Sequence, residues 1–87
     1  VVVRGVNLYP GAVEEVVRSV EGIVEYEVLI EEANSMVEVR IRAEGSGAKE
    51  LAIRLQEVFS LRIRVGEVPE GTLERFEMKS KRWKRKS

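Results

Sequence analysis

The side chains able to do chemistry in this sequence come from few residue types, with 15 Lys and Arg set against 15 Glu. There is no His, no Cys and no Asp. Without imidazole, the commonest general base and metal ligand is missing. Without thiols, disulfides and thiolate metal sites are excluded. Glu, Lys, Arg and Tyr remain, an inventory that disfavours a self-contained hydrolase or metalloenzyme. The charge is also unevenly placed. Residues 1–74 carry 14 acidic and 8 basic side chains, a net of −6. Residues 75–87 carry Arg75, Lys79, Lys81, Arg82, Lys84, Arg85 and Lys86 against Glu77, a net of +6. Three readings fit such a tail: a solvated basic end, a nucleic-acid surface in which Phe76 and Trp83 stack on bases, or a lysine delivered to phosphates held by another domain. Composition alone ranks them in that order.

Two glycine-bearing stretches could also approach a ligand. Gly5-x-Asn7-x-x-Pro10-Gly11-x-x-Glu14 lacks the spacing and the Gly-Lys-Ser/Thr ending of a phosphate loop. It reads first as a strand-to-helix turn. Gly45-Ser46-Gly47 precedes a helical pattern, where an anion could sit, but a plain turn with Ser46 as N-cap is the simpler reading.

The elements that must position these groups follow from periodicity. Val1–Arg4 is a β-branched run and predicts a strand. Pro10 is a good first helical residue, and Val13, Val16, Val17 and Val20 recur on one helical face up to Gly22. Glu14 and Arg18 pair at i,i+4 on the other face. Val24, Tyr26, Val28 and Ile30 alternate with Glu25, Glu27, Leu29 and Glu31. Val37, Val39, Ile41 and Ala43 alternate with Glu38, Arg40 and Arg42. The short Ala33-Asn34-Ser35 link joins them as a hairpin whose outer face sets glutamates against arginines. Leu51, Ala52, Leu55, Val58 and Phe59 mark the buried stripe of a second helix, with Glu50 and Arg54 paired outside. Leu61, Ile63 and Val65 predict a last strand, before the Pro69-Glu70-Gly71 turn. The order β-α-β-β-α-β predicts an α+β fold, a small ferredoxin-like sandwich with an antiparallel-containing sheet and two helices on one face. The basic tail after Thr72 is expected to lie outside that unit.

Val3-Arg4-Gly5-Val6-Asn7-Leu8-Tyr9-Pro10-Gly11-Ala12-Val13-Glu14-Glu15-Val16 resembles the stretch that opens the C-terminal domain of phenylacetate-CoA ligases, members of the adenylate-forming acyl-CoA synthetases. Gly71-Thr72-Leu73-Glu74-Arg75-Phe76-Glu77-Met78-Lys79-Ser80-Lys81-Arg82 resembles the closing motif of the same domain. With matching lengths between them, the resemblance covers essentially the whole chain. Met78 stands where the family usually has Gly before its catalytic lysine, and Glu74 where it usually has Pro.

The resemblance implies that residues 1–87 form one C-terminal lid domain of a larger ATP-dependent ligase. The large N-terminal domain, absent here, would be its partner and would hold ATP, Mg²⁺ and the carboxylic acid, an aryl acid such as phenylacetate. The acid attacks ATP to give an acyl-adenylate, and CoA then displaces AMP. Lys79 is implied as the catalytic lysine of the first step, with Lys81 as the second candidate. Arg4, Gly5, Val6 and Asn7 are implied to lie near the hinge and the CoA channel. No cofactor is expected to stay bound to this domain alone, and alone it should not catalyse.

Val1-Val2-Val3, without Met, reads as a cut through a longer protein. No apolar run approaches the ~20 residues of a membrane span, no secretory pattern is present, and a cytoplasmic setting is the default. The competing readings are a nucleic-acid-binding module using the basic tail, which the resemblance demotes, and a ferredoxin-like small-ligand regulatory domain.

Overall fold

Two pairs of consecutive residues with positive φ shape the sheets. Arg4 (φ 49°) and Gly5 (φ 82°) form a two-residue turn between Val3 and Val6, and Asn34 (φ 52°) and Ser35 (φ 64°) form another between Ala33 and Met36. Positive φ at both central residues is the type I′ pattern, whose twist matches that of the strands it joins. Glycine adopts that region without strain, which accounts for Gly5.

The computed structural model describes residues 1–75 and 82–86. In chain order, β1 (Val2–Val3) and β2 (Val6–Asn7) are followed by α1 (Pro10–Arg18), β3 (Ile23–Ala33), β4 (Met36–Gly45), α2 (Ala48–Phe59), β5 (Arg64–Val68) and β6 (Trp83–Lys86). β1 and β2 form a two-stranded antiparallel ladder, and the other strands form a four-stranded sheet in the order β5-β4-β3-β6. β3 and β4 are antiparallel, while β5 runs parallel to β4 and β6 parallel to β3.

The α+β class, the antiparallel hairpin and the two helices are as the sequence predicts. The strand order differs in two places, for one linked reason. The Arg4-Gly5 turn folds the opening strand back on Val6–Asn7, so it does not join the main sheet. The edge of β3 is occupied instead by Trp83–Lys86, with Trp83 opposite Val28. The end of the tail is therefore a strand of the sheet and does not lie outside the folded unit.

One face of the sheet presents Tyr26, Val28, Ile30, Val39, Ile41 and Ala43 to the core. Val13, Val16 and Val17 of α1 and Leu51 and Leu55 of α2 pack into the same cluster. Both helices thus lie on one face. Leu51 and Leu55 are fully buried, and burying each contributes about 2–3 kcal/mol. Pro10 starts α1 as expected, but the helix stops at Arg18, well before Gly22. Ser19 ends it, with its hydroxyl donating to the Val16 carbonyl at 2.6 Å. α2 begins after Gly47, which sits at the N-cap without a side-chain bond, so Ser46 is not the cap. Val58 is exposed and does not belong to the buried stripe. Leu61 and Ile63 are buried, but the last strand is registered later, over β5. A Cβ on Gly45 would fall 1.9 Å from the Gly22 carbonyl oxygen, so the close pass of β4 by the start of β3 requires glycine there.

Candidate functional site

The sheet face opposite the helices is where the charged residues gather. Alternation places Glu25, Glu27 and Glu31 of β3 there, with Glu38, Arg40, Arg42 and Glu44 of β4 beside them. Strands with alternating Glu and Arg would ordinarily leave these groups in water. Here Glu25, Glu27 and Glu44 are buried, with Glu44 at 0% exposure, and Glu14 of α1 is buried too. A buried carboxylate is tolerated when paired and hydrogen-bonded, and each of these is.

Glu44 accepts from the Leu73 backbone N–H at 2.7 Å and from the Arg75 guanidinium at 2.9 Å. Burial pushes its carboxyl pKa up, but the Leu73 and Gly71 backbone N–H groups and Arg75 outweigh this and hold it below the ordinary value. Glu25 accepts from Arg82 Nε at 2.8 Å and from the Tyr26 backbone N–H at 3.0 Å. Glu27 pairs with Arg42 at 2.6 Å and with Lys84 Nζ at 3.2 Å. Glu14 accepts from the Tyr26 hydroxyl and from Arg18 Nε, the latter at 2.7 Å. It also lies 3.6 Å from Arg82. Burial raises the Glu14 pKa, while the Tyr26 bond, Arg82 and Arg18 together bring it below the ordinary value. Burial, then the bond to Glu14, raises the Tyr26 phenol well above its usual value. The Arg82 guanidinium also stands over the Tyr26 ring, 5.0 Å from its centroid.

These pairs revise two sequence expectations. Glu14 does pair with Arg18, but its carboxylate is buried against Tyr26 while Arg18 stays exposed. Arg75, Arg82 and Lys84 meet Glu44, Glu25 and Glu27 of the same chain, so much of the tail's charge is taken up by the acidic body. The sequence signal was present in the −6 and +6 halves. It did not say which glutamates would be buried, because alternation alone assigns them to water.

The residues near the opening segment are brought together at a different place. Arg4, in the β1–β2 turn, donates to Glu38 at 2.7 Å. Val6 packs against the core, and Asn7 Nδ2 donates to the Tyr9 hydroxyl at 2.8 Å. Arg4 borders an open concavity of about 530 Å³ that Arg40, Arg62 and Arg64 also line. Arg40 pairs with Glu31 at 3.2 Å and stands opposite Arg64 in the ladder. With Glu31 and Glu38 already paired, Arg62 and Arg64 leave the concavity positive among the described residues. Lys79 and Lys81 lie outside the described residues. Among the described residues, no group of His, Cys, Asp and Glu is placed to hold a metal ion, and no helix is long and apolar enough to cross a membrane.

Comparison with known proteins gives the wider context. No curated protein matches the chain. Among solved structures, a domain of phenylacetate-coenzyme A ligase from Bacteroides vulgatus has a TM-score of 0.78 at 22% identity, over 98% of this chain and 90% of that one. 2-Hydroxyisobutyryl-CoA ligase, in complex with 2-HIB-AMP and CoA in the thioesterification state, has a TM-score of 0.80 at 24% identity. That match covers 95% of this chain but 20% of the ligase chain. An open conformation of the same ligase has a TM-score of 0.74 at 23% identity, over 92% of this chain and 20% of that one. At these identities the likeness shows the fold. The model of the AMP-binding enzyme C-terminal domain matches residues 5–85, nearly the whole chain, and the protein therefore belongs to the AMP-binding enzyme C-terminal domain family.

Proposed function

We propose that this chain is the mobile C-terminal domain of an ATP-dependent acyl- or aryl-CoA ligase. In this reading it supplies Lys79 for acyl-adenylate formation and lines the CoA channel for thioester formation. The observation that carries it is the family match over residues 5–85. The chain spans a fifth of the length of 2-hydroxyisobutyryl-CoA ligase, which fits a domain working on a larger partner. The fold is similar to that ligase in the thioesterification, postadenylation and open states, as expected of a unit that moves without refolding.

The chemistry suits a lysine on such a unit. Adenylation drives a carboxylate against a polyphosphate, and the two anions repel. A compact ammonium with three donors offsets that repulsion and stabilises charge where it develops. Carrying it on a moving domain excludes water when the site shuts. ATP, Mg²⁺ and the acid would be held by the N-terminal domain. This chain's contribution to the second step would come from the Arg4–Asn7 segment. The adjoining concavity, positive among the described residues through Arg62 and Arg64, suits the phosphates of CoA.

Steady-state kinetics of the parent enzyme test the second role. Arg64→Ala should raise the KM for CoA about tenfold while leaving adenylate formation unchanged, since one guanidinium–phosphate contact contributes about 1.5–3 kcal/mol. An unchanged KM for CoA would remove the concavity from the channel. The 87-residue chain by itself should form neither adenylate nor thioester, because every atom that reacts is held by its partner.

A further inference from the structure

β6 lies on an edge of the four-stranded sheet and is four residues long. It runs parallel to β3, and parallel pairing is slightly less stable per residue than antiparallel. Its sequence, Trp83-Lys84-Arg85-Lys86, offers one apolar side chain. Trp83 packs partly against the core, but among the described residues its indole N–H is buried without an acceptor, which carries a desolvation cost. A short backbone ladder and one indole are little to hold such a strand. The rest of the hold is ionic.

Arg82, the residue before β6, is the centre of it, with a side chain only 13% exposed. Its Nε donates to Glu25 at 2.8 Å, its Nη1 stands 3.6 Å from Glu14, and its guanidinium lies over the Tyr26 ring. Two residues on, Lys84 Nζ meets Glu27 at 3.2 Å. The charged and titratable groups around this clasp come from every neighbouring element. They are Glu14 and Arg18 of α1, Glu25, Tyr26 and Glu27 of β3, and Arg42 and Glu44 of β4. Glu44 binds Leu73 and Arg75. Glu14 and Glu27 each have a second cation in the body, Arg18 and Arg42. Glu25 has the Tyr26 backbone N–H besides Arg82.

Acid acts unequally on these partners. Protonating Glu25 removes the main counter-charge of Arg82 and leaves a mostly buried cation poorly compensated, which is strongly unfavourable. Arginine cannot shed its proton in response. It regains solvation by moving into water, and β6 follows it. The core has no such dependence, because Val13, Ile41, Leu51 and Leu55 are apolar and fully buried. Burial raises the Glu14 pKa, while the Tyr26 bond and then Arg82 offset it. A state without Arg82 in place therefore binds protons more readily, so acid favours that state.

We propose that β6 is an acid-released strand: the Arg82 clasp on Glu25 and Glu14 lets Trp83–Lys86 leave the edge of β3 as pH falls, while the helices and β3–β5 stay folded. The inference is independent of the function proposed above.

Acid titration of the 87-residue chain tests it. A domain of similar fold from phenylacetate-coenzyme A ligase, 90% of it covered by this chain, is itself a solved structure. Trp83 is the one tryptophan, so its emission reports β6, and amide exchange at Ala43, Leu51 and Leu55 reports the core. We expect Trp83 to become solvent-exposed about one pH unit above the loss of core protection. Arg82→Met removes the cation that needs the carboxylates, so acid should no longer release the strand ahead of the core. Glu25→Gln should move the release to higher pH, and it keeps the test decisive if Arg82→Met fails to fold. Coincident loss of the two signals in the parent, or a gap left unchanged in either variant that folds, overturns the proposal.

Discussion

Glu14 illustrates how much one carboxylate can carry. Its spacing from Arg18 marks an ordinary helical ion pair, yet the same group accepts from the Tyr26 hydroxyl and faces Arg82. Glu14 and Glu44 both have pKa values below their ordinary 4.5. The unfolded chain therefore binds protons that the folded chain does not, and stability rises with pH through that region. The contribution of both groups is present above pH 4.5 and lost as pH falls through the folded values. Tyr26 has the opposite sign. Its raised value favours the neutral phenol in the folded state, so its contribution is present below the ordinary 10.0 and fades as pH climbs through the folded value. Thermal midpoints of the 87-residue chain should fall on both sides of a plateau, on the acid side starting near pH 4.5. A midpoint constant from pH 7 down to pH 3 would contradict the buried pairing.

At the scale of the element, the turns show where the sequence is adapted and where it is strained. The Arg4-Gly5 turn has glycine at one of its positive-φ positions, whereas Asn34-Ser35 has none. Asparagine tolerates that region and serine does so less well. Ser35→Gly should raise stability by about 1 kcal/mol, the order of the left-handed cost for an ordinary residue. Urea unfolding monitored by Trp83 fluorescence reads this, and an unchanged or lower midpoint would mean the turn is not strained.

The local patterns were legible wherever one element settles its own periodicity. The valine face and Pro10 of α1, the β3–β4 hairpin, its Glu–Arg outer face and the Leu51–Leu55 stripe all follow from spacing. β6 was not legible, because Trp83-Lys84-Arg85-Lys86 has no apolar alternation. Its strand exists because the edge of β3 is free and Glu27 receives Lys84, both tertiary facts. The burial of Glu25 and Glu44 was hidden for the same reason, since their partners Leu73, Arg75 and Arg82 are distant in sequence. The composition of the tail did not single out Lys79. Its assignment came from the resemblance of its flanking motif.

For the whole molecule, an acidic body pairs with Arg75, Arg82 and Lys84 of its basic closing residues. The helices lie on one face of the sheet, and the buried carboxylates of Glu25, Glu27 and Glu44 belong to the other. The arginine concavity lies beside the β1–β2 turn. In the proposed function, the chemistry belongs to a composite site with a partner domain. The most direct measurement is a comparison of Lys79→Ala and Lys81→Ala in the full-length enzyme, with each half-reaction followed separately. The account predicts that Lys79→Ala slows adenylate formation about 10²–10³-fold, leaves thioester formation from supplied acyl-adenylate near the parent rate, and has a far larger effect than Lys81→Ala. Loss of both half-reactions together in Lys79→Ala, or adenylation that survives it, would contradict the role assigned to Lys79.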